Sequence, residues 1–436
     1  MKVGIVGLGH VGLVSAACFA HVGHEVIGAD VQTERIEGLQ SGVMPFFEPG
    51  LAEMVAEGRQ SGRLTFTNEA SSVVEGSDLV FVCVGTPSRP DGSADLVQIE
   101  QLTCEIAPLL RDHQVLVEKS TVPVKTGERI ARTLERLGAP KVDVVSNPEF
   151  LREGSALEDT LEPDRIVIGS SSERATQLLR DFYDPIVEKS GCTVVVTDVG
   201  TAELIKHASN AFLAMKISFI NAVSEVCEST DADVQTVALG MGLDPRIGPS
   251  FLQAGVGYGG SCFPKDVAAF NALAQSLGID FSLLRAVQDI NKRGVERLLK
   301  KLSHELWHLE GKKIALLGLA FKPGTDDLRE APSLRMIEKL LAEGAEVVAY
   351  DPAAMAKAKD IYPSVSYADS ALEAMRGADA AVFLTEWDEF RALTPATMRE
   401  ALRFPIVADG RNLFHPRAMR EAGVTYLSMG RPLVRP

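Results

Sequence analysis

Residues 255–266 read Gly-Val-Gly-Tyr-Gly-Gly-Ser-Cys-Phe-Pro-Lys-Asp. A thiolate is the nucleophilic form of cysteine, and an ammonium nearby stabilises it. Cys262 has Lys265 and Asp266 three and four positions on, so the segment is a candidate for covalent catalysis. The four glycines give the backbone freedom to close around an anion or a sugar. A Gly-rich loop beside a buried cysteine is the plainer account of the same residues.

Gly7-Leu8-Gly9-His10-Val11-Gly12 follows an apolar run and opens a helical pattern, and the next apolar run ends at Asp30. In such a unit Gly7 permits a tight turn, Gly9 lets a pyrophosphate approach the backbone, and Gly12 lets helix and strand pack closely. The helix N-terminus favours the negative charge. Asp30 suits ribose hydroxyls and repels a 2′-phosphate, which favours NAD over NADP. Arg35, five residues on, works slightly against that preference.

Three further segments carry polar groups at useful spacing. Lys206 and Asn210 lie four apart in a helical stretch and share a face, where both suit an oxygen gaining negative charge. Taken alone they read better as a solvated helix face, and His207 between them reads as structural. Glu149 and Glu153 follow an apolar run. At the carboxyl end of a parallel strand they would face the ligand crevice, one serving as base or water-binding group. A surface helix start explains them equally well. Lys322 and Arg329, in residues 321–330, are the right groups for phosphate or sugar oxygens.

The elements that position these residues follow from apolar periodicity. Runs at 3–6, 25–29, 78–84, 114–119, 143–146 and 165–169 read as parallel strands separated by helices, the first helix over about 12–21. Residues 200–229 have no Pro and no Gly after Gly200. Leu204, Ile205, Ala208, Phe212, Met215, Phe219, Val223 and Val226 fall at helical spacing. That predicts one helix well beyond the usual length, a strut between domains or a dimer interface. Further helix is expected at 291–309, then a second α/β block with strands at 313–318, 346–351, 380–385 and 405–408 and a helix at 333–343. The expected fold class is α/β: two Rossmann-like doubly wound domains joined by a long central helix.

The chain has 436 residues, enough for two or three domains. Its 46% hydrophobic and 24% charged residues are the balance of a globular protein, and its net charge of −15 argues against nucleic acid or an anionic membrane as partner. Six cysteines (18, 83, 104, 192, 227, 262) form no CxxC and no zinc-type spacing with histidine, so no metal is expected and the compartment reads as reducing and cytoplasmic. No run of the kind that spans a membrane is seen, and the chain opens on a strand rather than a signal peptide.

Together the motifs GLGHVG, PFFEPGL, VGTPS, STVP, NPEFLREG, GVGYGGSCFPKD and FKPGTDDLREAP resemble the UDP-glucose 6-dehydrogenases, within the wider UDP-glucose/GDP-mannose dehydrogenase group, in the same order and over nearly the whole chain. The resemblance implies an NAD domain (1–197), a central helical domain forming a homodimer or higher oligomer (198–300) and a UDP-sugar domain (301–436). It assigns Val11, Asp30, Arg35, Thr86, Thr121, Lys265 and Arg329 to NAD, with Arg35 standing where the family usually has lysine. Cys262 would be the nucleophile. Lys206, Asn210 and Asp266 would surround the reacting C6 oxygen or its water, with Thr121 also at the reacting centre. Glu149 and Glu153 would serve the sugar side and the hydrolytic water, Glu153 as general base. Arg246 would be given across the dimer, Phe251, Tyr258 and Gly259 would line the sugar–nucleotide site, Lys322 would hold the sugar, and Arg411 of Asp-Gly-Arg would reach it. Gln253 departs from a lysine found in some members.

The implied reaction is a four-electron oxidation of an alcohol to an acid, with two NAD used in turn and the aldehyde captured on Cys262. UDP-glucose is favoured over GDP-mannose or an N-acetylated UDP-hexose. Two rivals remain: a non-catalytic NAD-sensing protein, and a 3-hydroxyacid dehydrogenase, which performs one hydride transfer and has no use for the cysteine.

Overall fold

Alternation of side chains along each strand builds a layer on either side of a sheet. In the computed structural model, which describes residues 1–436, Val3, Ile5, Leu79, Phe81, Val115 and Val117 point into one core, while Val6, Val80, Val82 and Leu116 point into the opposite one. Strands apolar on both faces belong in a sheet covered by helices on both sides. The chain divides into two compact units, Met1–Ser209 with Ala268–Leu277, and Asn210–Val267 with Gly278–Pro436. The division falls inside two helices, Val199–Ser229 and Phe263–Ser276.

The first unit holds eight strands: β1 (Lys2–Val6), β2 (Glu25–Ala29), β3 (Leu64–Thr67), β4 (Leu79–Val82), β5 (Val115–Glu118), β6 (Asp143–Ser146), β7 (Arg165–Gly169) and β8 (Thr193–Thr197), ordered β3-β2-β1-β4-β5-β6-β7-β8. The second holds six: β9 (Lys313–Leu317), β10 (Glu346–Tyr350), β11 (Ser366–Tyr367), β12 (Ala380–Phe383), β13 (Ile406–Asp409) and β14 (Thr425–Ser428), ordered β11-β10-β9-β12-β13-β14. The orders agree strand for strand over β1–β6 and β9–β14, the doubly wound Rossmann arrangement in both units. The second sheet divides its side chains likewise, with Ile314, Leu316, Ala380 and Val382 on one face and Ala315, Leu317, Ala381 and Phe383 on the other.

One expectation needs correction. β7 is parallel to β8 but antiparallel to β6, which it meets only at Ser146 opposite Gly169. The seam is closed by a side chain: Asn147 Nδ2 donates to Val167 O at 2.8 Å. The long helix appears as Val199–Ser229, and the helix expected at 291–309 begins earlier, at Ser282, and ends at Leu306. No helix is long and apolar enough to cross a membrane.

Candidate functional site

In the first unit the turn after β1 is set by Gly7, whose φ is +94°. Gly7 N–H donates to Ala29 O, and Leu8 N–H donates to Asp30 Oδ2 at 2.8 Å, so the acid at the tip of β2 is drawn against the loop. A Cβ at residue 12 would overlap the Gly7 carbonyl oxygen, whereas a Cβ at Gly9 would meet nothing within 4 Å. The helix His10–His21 starts at Gly9 with no side-chain cap and no acidic residue in its first turn, leaving its N–H groups directed at whatever lies before it. These residues fit a dinucleotide: open space at Gly9, an uncapped helix start for the pyrophosphate, and Asp30 for the ribose. Arg35 pairs with Asp30 at 2.6 Å. Val11 is half-buried beside this core. Thr86 is buried and donates to Thr121 O at 2.8 Å, fastening the turn after β5 to that after β4.

Beyond the carboxyl end of β6, the buried Glu149 and the buried Lys206 form an ion pair, Oε1 to Nζ 2.9 Å. Leu151 N–H donates to the other Glu149 oxygen at 2.7 Å, and Lys206 Nζ lies 5.3 Å from the Phe150 ring centre. The helix face that reads as solvated is buried here. Glu153 is half-buried in the same loop.

Sequence reasoning passed over the residues beneath this loop. Lys119 is buried and donates to Asn147 Oδ1 (3.1 Å) and to Tyr183 OH (3.4 Å), and burial pushes its pKa down. Glu118 next to it is buried too, and burial followed by the Glu203 charge pushes its carboxyl well up. Glu48, within PFFEPGL, accepts from Gly154 N (2.7 Å) and Ala156 N (2.8 Å) and lies 3.1 Å from His10 Nε2. It therefore ties the Glu153 loop to the Gly-rich turn. A lone acid within an apolar motif was the signal available for it.

In the second unit Cys262, half-buried, immediately precedes the helix Phe263–Ser276, and Asp266 N–H donates to its carbonyl. A helix start favours negative charge on a group beside it. Lys265 Nζ is 2.8 Å from Asp266 Oδ1, and Asn210 Nδ2 donates to the fully buried Asp266 Oδ2 at 2.6 Å. Of the two polar residues four apart on the long helix, Lys206 thus faces Glu149 and Asn210 faces Asp266.

The glycines before Cys262 differ from expectation in what they accommodate. Cβ atoms at Gly257 and Gly260 would meet Asn291 Oδ1 at 2.5 Å and the Phe321 ring at 2.7 Å, with φ at +103° and +81°, and one at Gly259 would strike Glu330 O. Much of the room they create is filled by the protein itself. This brings two motifs together, since Gly260 N–H donates to Arg329 O at 2.8 Å. Arg411 reinforces the junction, donating to Gly257 O (3.0 Å), Phe321 O (3.2 Å) and Leu384 O (2.8 Å). Arg329 grips Asp327 in two-pronged fashion, 2.7 Å at the shortest, with most of its side chain exposed. Lys322 is half-buried, 5.6 Å from the Phe321 ring centre. Tyr258 is buried edge-on to Phe263, with its hydroxyl pKa raised by burial. Phe251 sits at φ +65° against Phe263. Arg246 is 87% exposed and paired only with its neighbour Asp244 at 2.6 Å, presenting its guanidinium outward.

Three successive segments match one family of proteins, the UDP-glucose/GDP-mannose dehydrogenases: residues 1–187 its NAD binding domain, 200–293 its central domain and 315–416 its UDP binding domain. The chain belongs to the UDP-glucose/GDP-mannose dehydrogenase family. A UDP-glucose 6-dehydrogenase of Bacillus subtilis (strain 168) is 44% identical over 100% of this chain and 94% of its own length. One of Rhizobium meliloti (strain 1021) is 45% identical over 99% and 100%. Among solved structures, a UDP-glucose dehydrogenase from the archaeon Pyrobaculum islandicum is 39% identical with a TM-score of 0.91, covering 99% of this chain and 98% of its own. A UDP-D-ManNAc dehydrogenase from Pyrococcus horikoshii is 29% identical with a TM-score of 0.87, over 99% of each chain. The family's members are NAD-binding dehydrogenases, which agrees with the geometry of the Gly7–Gly12 turn.

Proposed function

We propose that this protein oxidises the C6 alcohol of UDP-glucose to a carboxylate, giving UDP-glucuronate. The balanced reaction converts the alcohol, two NAD and one water into the carboxylate, two NADH and three protons. Each NAD, when bound, takes up two electrons as hydride. The observation that carries this reading is the cysteine turn, where Cys262 stands at a helix start beside Lys265 and Asp266, with Asp266 held by Asn210. A dehydrogenase that stops after one hydride transfer has no use for that thiol.

Cys262 adds to the aldehyde, forming a thiohemiacetal that retains the carbon for the second oxidation and becomes a thiol ester. Lys206 and Asn210 donate to the oxygen as it gains negative charge at both stages. Glu153 takes a proton from the water that releases the acid and restores the thiol, with Glu149, Thr121 and Asp266 around the reacting centre. Gly7, Gly9, Val11, Gly12, Asp30, Arg35, Thr86, Lys265 and Arg329 serve NAD. Arg246, Phe251, Tyr258, Gly259, Lys322 and Arg411 serve the nucleotide sugar. Residues 1–197, 198–300 and 301–436 are the working division into cofactor, association and nucleotide-sugar parts.

The protein is further proposed to be a cytoplasmic homodimer. Phe212, Phe219 and Val226 recur every seven residues along the long helix and are 58%, 50% and 62% exposed, an apolar stripe suited to a second copy.

The test is NADH formed per limiting UDP-glucose. Two per sugar with an acidic product is expected. One per sugar would stop the reaction at the aldehyde and remove the role of Cys262. None would turn the assignment to GDP-mannose or the N-acetylated UDP-hexoses.

A further inference from the structure

Lys206 is flanked on its helix by two buried residues that reach into one loop. Glu203, one turn earlier, accepts from Lys125 N–H at 2.6 Å and Gly127 N–H at 2.8 Å. His207, the next residue, donates through Nε2 to Val122 O at 2.8 Å. The contacted segment, residues 120–127, carries Thr121. Its other side is tied to the sheet through Thr86 to Thr121 O and through Ser120 Oγ to Val84 O at 2.9 Å.

The helix Thr126–Arg136 starts at Lys125, which has φ +76° and no side-chain cap of its own. Glu203 supplies from another helix the acceptor that a capping Ser or Asp would supply locally. Gly127 allows this approach, because a Cβ there would lie 2.5 Å from Val199 Cγ1.

We infer that Glu203 and His207 are positioning residues that fasten the Thr121 segment to the helical turn presenting Lys206, with the Glu203 carboxylate closing the clamp. The inference rests on the proposed roles of Thr121 and Lys206. Two N–H donors face the two carboxylate oxygens. A protonated carboxyl carries a hydrogen on one oxygen and must find an acceptor for it, so protonation loosens the clamp. The charges acting with Glu203 are Glu128 on the capped helix and Glu118 at the end of β5, and Lys206 and His207 follow three and four positions on along its own helix. Burial raises its carboxyl, the Gly127 and Lys125 N–H bonds pull it back, and Glu128 raises it again, to about 7. The clamp therefore closes as pH rises through neutrality.

The test compares kcat for UDP-glucose at saturating NAD in the wild-type chain and in Glu203→Gln across pH. Dividing one profile by the other cancels titrations common to both, Cys262 included. The ratio is expected to be about tenfold or more on the alkaline side, where a misplaced Lys206 slows the reaction, and to fall towards one on the acid side as the wild-type carboxylate protonates. A ratio constant with pH would overturn the inference. Hydrogen exchange at the Lys125 and Gly127 amides, corrected for intrinsic rates, needs no substrate and stands even if UDP-glucose proves to be the wrong sugar. Protection at alkaline pH is expected to be lost in Glu203→Gln, and unchanged protection would also overturn the clamp. Should that variant fail to fold, Glu203→Asp, one methylene shorter with the charge kept, is expected to lower protection at the same two amides, and full protection there would count against the clamp.

Discussion

Replacing Lys206 by Met removes the cation 2.9 Å from the buried Glu149 carboxylate. Both side chains are at most 5% exposed, so water does not take the ammonium's place. The Leu151 N–H bond persists, and the buried Lys119, whose charge interacts with Glu149, offsets only part of the loss. Breaking a buried pair from one side costs about 3–5 kcal/mol, whereas replacing both partners by neutral groups of similar size is often close to neutral. For a unit of about 220 residues, each kcal/mol moves Tm by roughly 2–4 °C, so Lys206→Met should lower the first unit's transition by about 6–20 °C. Lys206→Met combined with Glu149→Gln should recover most of that loss. Differential scanning calorimetry of the wild type, both single variants and the double variant closes the cycle. Activity should behave differently: loss of an oxyanion donor costs about 10²–10³-fold in kcat, and the double variant should not regain it. A single variant within about 2 °C of wild type, or a double variant as unstable as the worse single one, would refute the pairing argument.

Gly12→Ala places a methyl on the Gly7 carbonyl, so the turn must open. NAD titration should then show a loss of affinity of about 5- to 150-fold, the factor set by a cost of about 1–3 kcal/mol for a strained backbone feature. Cys262→Ala should abolish acid formation while NAD titrates as in wild type, and undiminished acid formation would refute covalent capture. Glu118→Gln probes the buried acid whose Oε1 has no hydrogen-bond partner. Its folded pKa is raised above the ordinary 4.5, so the unfolded chain releases its proton first and the wild type loses stability as pH rises above that value. The Tm advantage of Glu118→Gln should grow between pH 5 and pH 8, and an equal gap at both would contradict the assignment. Phe212→Asp with Phe219→Asp should yield monomers in light scattering behind a sizing column, and an unchanged mass would remove the helix stripe from the interface.

What the chain's local pattern reveals, and what it hides, divides along physical lines. β1, β2, β4, β5 and β6 are short, fully or largely buried runs, and each is visible as an apolar stretch. β8 reads Thr-Val-Val-Val-Thr, a run of β-branched residues that marks a strand but is not among those assigned from the sequence, whereas β11 is two residues long and does not stand out from its surroundings. The reversal of β7 is not a property of its own residues, since an apolar run carries no direction. The chemistry divides in the same way. The Gly7–Gly12 turn is legible because strand, glycines and helix follow one another directly in sequence and Gly12 answers to the carbonyl of Gly7, although the backbone that crowds Gly7 itself belongs to Cys83 and Val84. The partners of Lys206, Asn210 and Arg411 lie 57, 56 and up to 154 positions off, and nothing in the spacing of a helix announces them.

The internal repeat shows why a fingerprint needs its helix. Gly318 after β9 has φ +95° and donates to Tyr350 O, and Leu319 N–H donates to Asp351 Oδ2 at 2.7 Å, just as Gly7, Ala29, Leu8 and Asp30 do in the first unit. Yet the helix that follows Gly7 starts at His10, while the one that follows Gly318 waits until Pro332. Asp351 is also taken up by the N–H groups of Ala320, Ala353 and Ala354 and by Trp387 Nε1. With no helix start behind the turn and no spare acceptor at the strand tip, the second unit keeps the architecture of a dinucleotide fold without the means to hold a pyrophosphate there. Its intervening loop carries Phe321, Lys322 and Arg329 instead, and within the Gly257–Gly260 segment Gly260 packs against the Phe321 ring and donates to Arg329 O. The two units share a topology and differ in the length of one loop, which alone decides whether a helix start stands behind the turn.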